Sequence, residues 1–131
     1  GMDQAVMIID LNPGITEGIL RHQLATPGVK GIVLKTYGAG NAPTEAWFTE
    51  AIKDAIDRGI VILNVTQCVN GGVHDRRYMS GNQLASTGVI SGHDITSEAA
   101  ITKMMYLFGL GLSTSEVRRY LECSLCGEVS I

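Results

Sequence analysis

The sequence predicts an α/β domain: a mainly parallel sheet of about four strands between two layers of helices. Three observations carry that reading. Short runs are apolar on both faces, as in strands covered by helices. Stretches with helical spacing alternate with those runs. Glycine makes up 16 of 131 residues, about 12% against a usual ~7%, and the glycines fall singly at the ends of elements.

The first run is Ala5 to Leu11, closed by the turn Asn12-Pro13-Gly14. Thr16 to Ala25 follows with Ile19, Leu20 and Leu24 at helical spacing, and Thr26-Pro27-Gly28 stops it. Gly31 to Tyr37 is the second strand. It opens onto Gly38-Ala39-Gly40-Asn41-Ala42, after which Pro43 suits a first helical position because no N–H is needed there. The helix from Pro43 to Arg58 stacks Trp47, Ala51 and Ala55 beside Phe48, Ile52 and Ile56. Gly59 ends it.

Ile60 to Val65 is β-branched and reads as the third strand. A loop holding Gly71-Gly72 leads to a weak helix over Ser80 to Ser86, and Val89-Ile90 forms a short fourth strand. Asp94 is the expected N-cap of the next helix, which carries Ala100, Met104 and Phe108 with Ile101 and Met105. Ser113-Thr114-Ser115-Glu116 has capping-box spacing and opens a last helix through Val117, Tyr120 and Leu121. The whole describes one three-layer α/β/α, Rossmann-like domain with crossovers of the usual right hand.

Composition excludes several classes of function. With a net charge of −3, 45% hydrophobic and 18% charged residues, the chain is too apolar for disorder and has no basic footprint for nucleic acid or anionic lipid. Its longest uncharged apolar run, Met104 to Leu112, falls far short of the ~20 residues of a membrane span. No basic leader with a cleavage site is visible, so a cytoplasmic chain is expected. Cys68, Cys123 and Cys126 are odd in number and too few for a disulfide framework, which points to reduced thiols. Gly1 before Met2 reads as a residue left by tag removal from a piece of a longer protein.

Ligands of open parallel sheets bind beyond the carboxyl ends of the strands. Of the segments there, Lys35 to Asn41 is the most loaded, with Lys35, Thr36, Tyr37 and Asn41 around Gly38 and Gly40. Two readings stand side by side: a ligand cradle, or a tight βα turn with a lysine at its edge. Pro43 occupies the third glycine position of a dinucleotide fingerprint, and no phosphate loop occurs. His22, His74 and His93 are scattered, and Cys123-Ser-Leu-Cys126 is a lone pair at the chain's end, so no metal is expected. Asp75-Arg76-Arg77 and Tyr78 read as a solvated loop.

Four motifs then occur in order. They are Leu34-Lys35-Thr36-Tyr37-Gly38-Ala39-Gly40-Asn41-Ala42-Pro43; Asn64-Val65-Thr66-Gln67-Cys68; Gly88-Val89-Ile90-Ser91-Gly92-His93-Asp94-Ile95-Thr96; and Glu98-Ala99-Ala100-Ile101-Thr102-Lys103. The series closely resembles the C-terminal domain of type I (cytoplasmic, bacterial) L-asparaginases, and Gly127-Glu128 is similar to that family's C-terminal end. The resemblance implies a two-domain amidohydrolase that cleaves L-asparagine to L-aspartate and ammonia without a cofactor. The nucleophile is then a threonine of the N-terminal domain, aided there by a second threonine, an aspartate and a lysine. The family's T-G-G-T-I and H-G-T-D-T motifs for that work are absent, since the chain has no Gly-Gly-Thr and no Thr-Asp. The expectation is a C-terminal domain that lacks its catalytic half and is inactive alone.

The same resemblance assigns the site residues. The glycine-rich loop, with Tyr37, Gly38, Gly40 and Asn41, approaches a partner subunit's active site. Lys35, Thr66, Gln67 and Cys68 fall where some members bind a second asparagine as an activator. Lys35 replaces an arginine there, exchanging a bidentate grip on a carboxylate for a point charge. An ordinary ion pair is the competing role for that lysine. The implied partners are L-asparagine, the catalytic domain and further copies of the chain in a homo-oligomer. An asparaginase-like subunit of a tRNA-dependent amidotransferase and a stand-alone small-molecule-binding module are the alternatives.

Overall fold

Each apolar run becomes a strand, and each stretch of helical spacing becomes a helix. The computed structural model describes residues 5–12, 14–37, 42–67, 79–93 and 95–125. The strands are β1 (Val6–Asp10), β2 (Gly31–Tyr37), β3 (Val61–Gln67) and β4 (Ile90–Ser91). Between them run α1 (Glu17–Leu24), α2 (Ala46–Asp57) and α3 (Gly81–Ala85), and α4 (Ser97–Gly109) and α5 (Thr114–Leu125) follow. Every pairing is parallel, in the order β1-β2-β3-β4.

That order explains the layers. Crossovers of one hand that always step in the same direction put their helices on one face of the sheet. The first apolar cluster accordingly joins Leu20 and Leu24 of α1, Phe48 and Ile52 of α2 and Leu84 of α3 to Ile32, Leu34 and Ile62 of the sheet. The opposite face has no crossover helix to cover it. There α4 and α5 supply Met104, Phe108, Val117 and Leu121, packed on Val33, Val61, Leu63 and Val65. Alternate residues of β2 and β3 thus feed opposite cores, as the pleat requires.

Several boundaries differ from expectation. The second helix starts at Ala46 behind Glu45, not at Pro43. The Ala42 carbonyl accepts from the Met79 N–H at 2.7 Å, and Pro43 lies in that bridge, so the backbone is still extended there. Proline's fixed φ suits such a segment as well as a helix start. The fourth helix is capped by Thr96, whose Oγ1 accepts from the Ala99 N–H at 3.0 Å. The chain is still turning just before it, with the Ile95 N–H donating to the Gly92 carbonyl and a left-handed φ of 54° at His93. Asp94 itself lies outside the described residues.

Ile19 and Tyr120, counted with the helical patterns of their segments, are 54% and 56% exposed. Leu20 with Leu24, and Val117 with Leu121, fill the inner stripe, which leaves their neighbours on the flank. The capping box at the last helix is present: Ser113 Oγ accepts from the Glu116 N–H at 3.2 Å, and the Ser113 N–H donates to Glu116 Oε1 at 2.9 Å. Cys123 is a free, exposed thiol within α5. No helix among the described residues is long and apolar enough to cross a membrane.

Candidate site at the carboxyl ends of β2 and β3

Polar residues appear where β2 and β3 approach their carboxyl ends. Thr36 and Thr66 are register partners, and Asn64 lies two residues before Thr66 on the same face. The Thr36 hydroxyl donates to Asn64 Oδ1 at 3.0 Å, while Asn64 Nδ2 donates to Thr66 Oγ1 at 3.4 Å. The two hydroxyl oxygens are also 3.4 Å apart. Thr36 and Asn64 are buried at 3% and 8% exposure, whereas Thr66 is exposed.

Asparagine is depleted in strands, and a buried amide is unfavourable unless its hydrogen bonds are met. Here the amide is met by the two threonines. Above the cluster opens a pocket of about 140 Å³, lined by Thr36, Asn64, Thr66, Met79, Ser80 and Leu84 among others, with no ionisable side chain among the described lining residues. Ser80 caps α3 through a complete capping box, its Oγ accepting from the Gln83 N–H at 3.2 Å and its own N–H donating to Gln83 Oε1 at 2.8 Å.

Lys35 lies on the other side. It alternates with Leu34 and Thr36, so it shares the face of Val33 and Val65, under α4 and α5, and its register partners are Asp10 and Val65. Among the described residues no ion pair of Lys35 forms. The pleat therefore divides the residues singled out from the sequence: Thr66 borders the pocket, and Lys35 stands across the sheet from it. Tyr37 and Gln67 pair in register at the ends of their strands, but their side chains lie outside the described residues. Gly38, Gly40, Asn41 and Cys68 lie outside them altogether, as do Gly71-Gly72, His74, Asp75 to Tyr78, Cys126 and Gly127-Glu128.

Thr36 and Asn64 were not singled out as a pair by the sequence. The signal was the polar pair Asn64 and Thr66 at alternate positions of an otherwise apolar strand. It identifies a polar stripe on one face, but the partner on β2 emerges only from the register.

Residues 5–121 match the glutaminase/asparaginase C-terminal domain. L-asparaginase 1 of Escherichia coli is 41% identical over 127 residues, which cover 97% of this chain and 37% of that protein. The human 60 kDa lysophospholipase is also 41% identical, over 98% of this chain and 22% of its own length. The crystal structure of L-asparaginase I from Vibrio cholerae superposes with a TM-score of 0.77 at 39% identity, covering 98% of this chain and 38% of that one. The chain thus spans under two fifths of the length of these relatives. By fold, motif order and similarity, it belongs to the glutaminase/asparaginase C-terminal domain family and resembles the type I L-asparaginases.

Proposed function

We propose that this chain is the non-catalytic C-terminal domain of an L-asparaginase, an amidohydrolase converting L-asparagine to L-aspartate and ammonia in the cytoplasm. The carrying observation is the match over residues 5–121 to a C-terminal domain family, in a chain without the threonine motifs of the reaction. Relatives named for two different activities carry this domain at 41% identity. That favours reaction-determining residues outside it. The nucleophile is a threonine of the N-terminal domain, and this chain alone is inactive.

The domain's own task is assembly and ligand contact. Tyr106 on α4 and Leu110 at its C-cap, both 55% exposed and one turn apart, favour a protein surface against that helix, either the catalytic domain or another copy in a homo-oligomer. At the strand ends, Lys35, Tyr37, Gly38, Gly40, Asn41, Thr66, Gln67 and Cys68 contact asparagine as substrate or activator. Lys35 offers its ammonium to the carboxylate from one side of the sheet. Thr66 offers a hydroxyl from the other.

The test is ammonia release from L-asparagine by this chain, with and without a separately expressed N-terminal domain. Silence alone and activity on mixing are expected. Activity of the chain alone would overturn the reading and turn attention to Thr36, Thr66 and Cys68 as nucleophiles.

A further inference from the structure

The open sheet has two edges, and they are built differently. β4 is only two residues long, and Arg118 Nη2 donates to the Gly88 carbonyl just before it at 2.6 Å. So short an edge offers little to an added strand. β1 runs for five residues, apolar except for Asp10, with neither lysine nor proline among them. It lacks the devices that keep edge strands apart.

The backbone of β1 is open on that side. The Ala5 carbonyl accepts from the Gly31 N–H at 3.1 Å, and the Leu11 N–H donates to the Lys35 carbonyl at 3.1 Å, so the odd residues face β2. Alternate residues of a parallel strand point the other way. The N–H and C=O groups of Val6 and Ile8 are therefore directed away from the sheet. Apolar side chains flank them on both faces. Ile8 pairs in register with Val33, on the face of α4, and is 40% exposed. On the other face, Arg21 reaches Asp54 of α2, which turns the exposed Ile19 to the opposite flank of α1, over the edge of β1.

A second copy of the same strand fits this edge. Laid antiparallel about a two-fold axis at Ile8, β1 overlaps its counterpart along its whole length. Ile8 then meets Ile8 on one face, and Met7 meets Ile9 of the second copy on the other. The charges match at the ends. Asp10 of each copy falls opposite Val6 of the other, whose register partner is Gly31, next to Lys30. Both charges lie on the α4 face, where Lys30 Nζ sits 5.9 Å from the centre of the Phe108 ring. Asp10 is the one ionisable residue of the strand, so no like charges oppose each other across the seam.

We infer that the outer edge of β1 is a self-association surface, through which two copies of this chain pair antiparallel about a two-fold axis at Ile8 and join their sheets into one. The inference rests on the homo-oligomer proposed above and names the contact that joins its copies.

Sedimentation velocity over a concentration series tests it, on the parent, Ile8→Lys and Leu110→Lys. The parent should form a reversible dimer. Ile8→Lys sets two ammonium groups opposite each other and should raise the dissociation constant at least about tenfold. Position 8 is already exposed in the single chain, so this variant should melt near the parent temperature. Leu110→Lys, at the surface proposed on α4, should dimerise like the parent. Two further readings need no variant. Hydrogen exchange at the Val6 and Ile8 amides should slow as concentration rises. In a dimer of labelled and unlabelled copies, an Hα–Hα Overhauser contact should join Met7 to Ile9, a close pair in this register.

A parent that stays monomeric at every concentration would overturn the homo-oligomer reading for this domain, and this contact with it. A dimer dissolved by Leu110→Lys but not by Ile8→Lys, or one that forms without slower exchange at Val6 and Ile8, would overturn the β1 contact alone.

Discussion

The Gly92 N–H donates to the Asn64 carbonyl at 2.8 Å, and a Cβ built on Gly92 would itself stand 2.8 Å from that same oxygen. The residue whose amide organises the polar cluster is therefore held at its backbone by the end of β4. Only a residue without a side chain permits so close an approach, because the obstacle is main chain and cannot swing aside. A second obstacle, Ile95 Cγ2, lies equally near at 2.8 Å. Gly92→Ala should destabilise the fold by about 1–3 kcal/mol. Urea unfolding, with an unchanged slope and an earlier midpoint, checks it.

Gly31 meets a softer obstacle. Its added Cβ would fall 2.6 Å from Met104 Cε and 2.9 Å from Phe108 Cε2, both side-chain ends. Methionine re-packs readily, so Gly31→Ala should be the milder of the two glycine substitutions. The two melting temperatures measured side by side decide this; an equal or larger loss at Gly31 would contradict it.

Phe48 is fully buried between α2 and the sheet. Phe48→Ala leaves a cavity in the first core cluster and should cost about 3–5 kcal/mol. That is a large share of the stability of a domain this size, so the variant should be partly unfolded at 37 °C by circular dichroism.

Glu116 gives the fold one acid-sensitive helix start. The Ser113 N–H donating to its carboxylate, followed by the Ser113 side-chain contact, holds its pKa below the ordinary value. A carboxyl whose folded pKa is depressed adds stability above its unfolded pKa, about 4.3 for glutamate, and loses it as pH falls through the folded value. Glu116→Gln should therefore flatten the dependence of melting temperature on pH below about 4.3. Unaltered steepness in that window would contradict the assignment.

Lys35 and Thr66 stand on opposite faces, so their contributions to the proposed activator site should separate. In the full-length asparaginase proposed above, Lys35→Ala should move the dependence of rate on asparagine from sigmoid towards hyperbolic, and Lys35→Arg should restore the curvature. Rates that are hyperbolic in the parent and unchanged by Lys35→Ala would remove the activator role.

What could be read in advance divides along physical lines. The strands were legible because both faces are buried, which leaves an uninterrupted apolar run such as Ile32 to Leu34. The Ser113–Glu116 box was legible because both partners lie within one turn. Thr36 and Asn64 meet across 28 positions, and only the register of β2 on β3 joins them, which no local pattern encodes. The helix starts differ from expectation for a related reason. Pro43 and Asp94 have the right chemistry for a start, but the bridge from Met79 to Ala42 and the turn at Gly92 keep the chain out of helix until later.

The strand order has a temporal side as well. Each strand of the sheet pairs with the one made immediately before it, so no strand must wait for a later one to separate it from its neighbour. A chain emerging from the ribosome can extend the sheet one βα unit at a time, with each loop closed as soon as the next strand appears. The face covered by α4 and α5 is the exception. It stays open until the last helices arrive, and over that interval Val33, Leu63 and Val65 form the sticky surface of a half-finished protein.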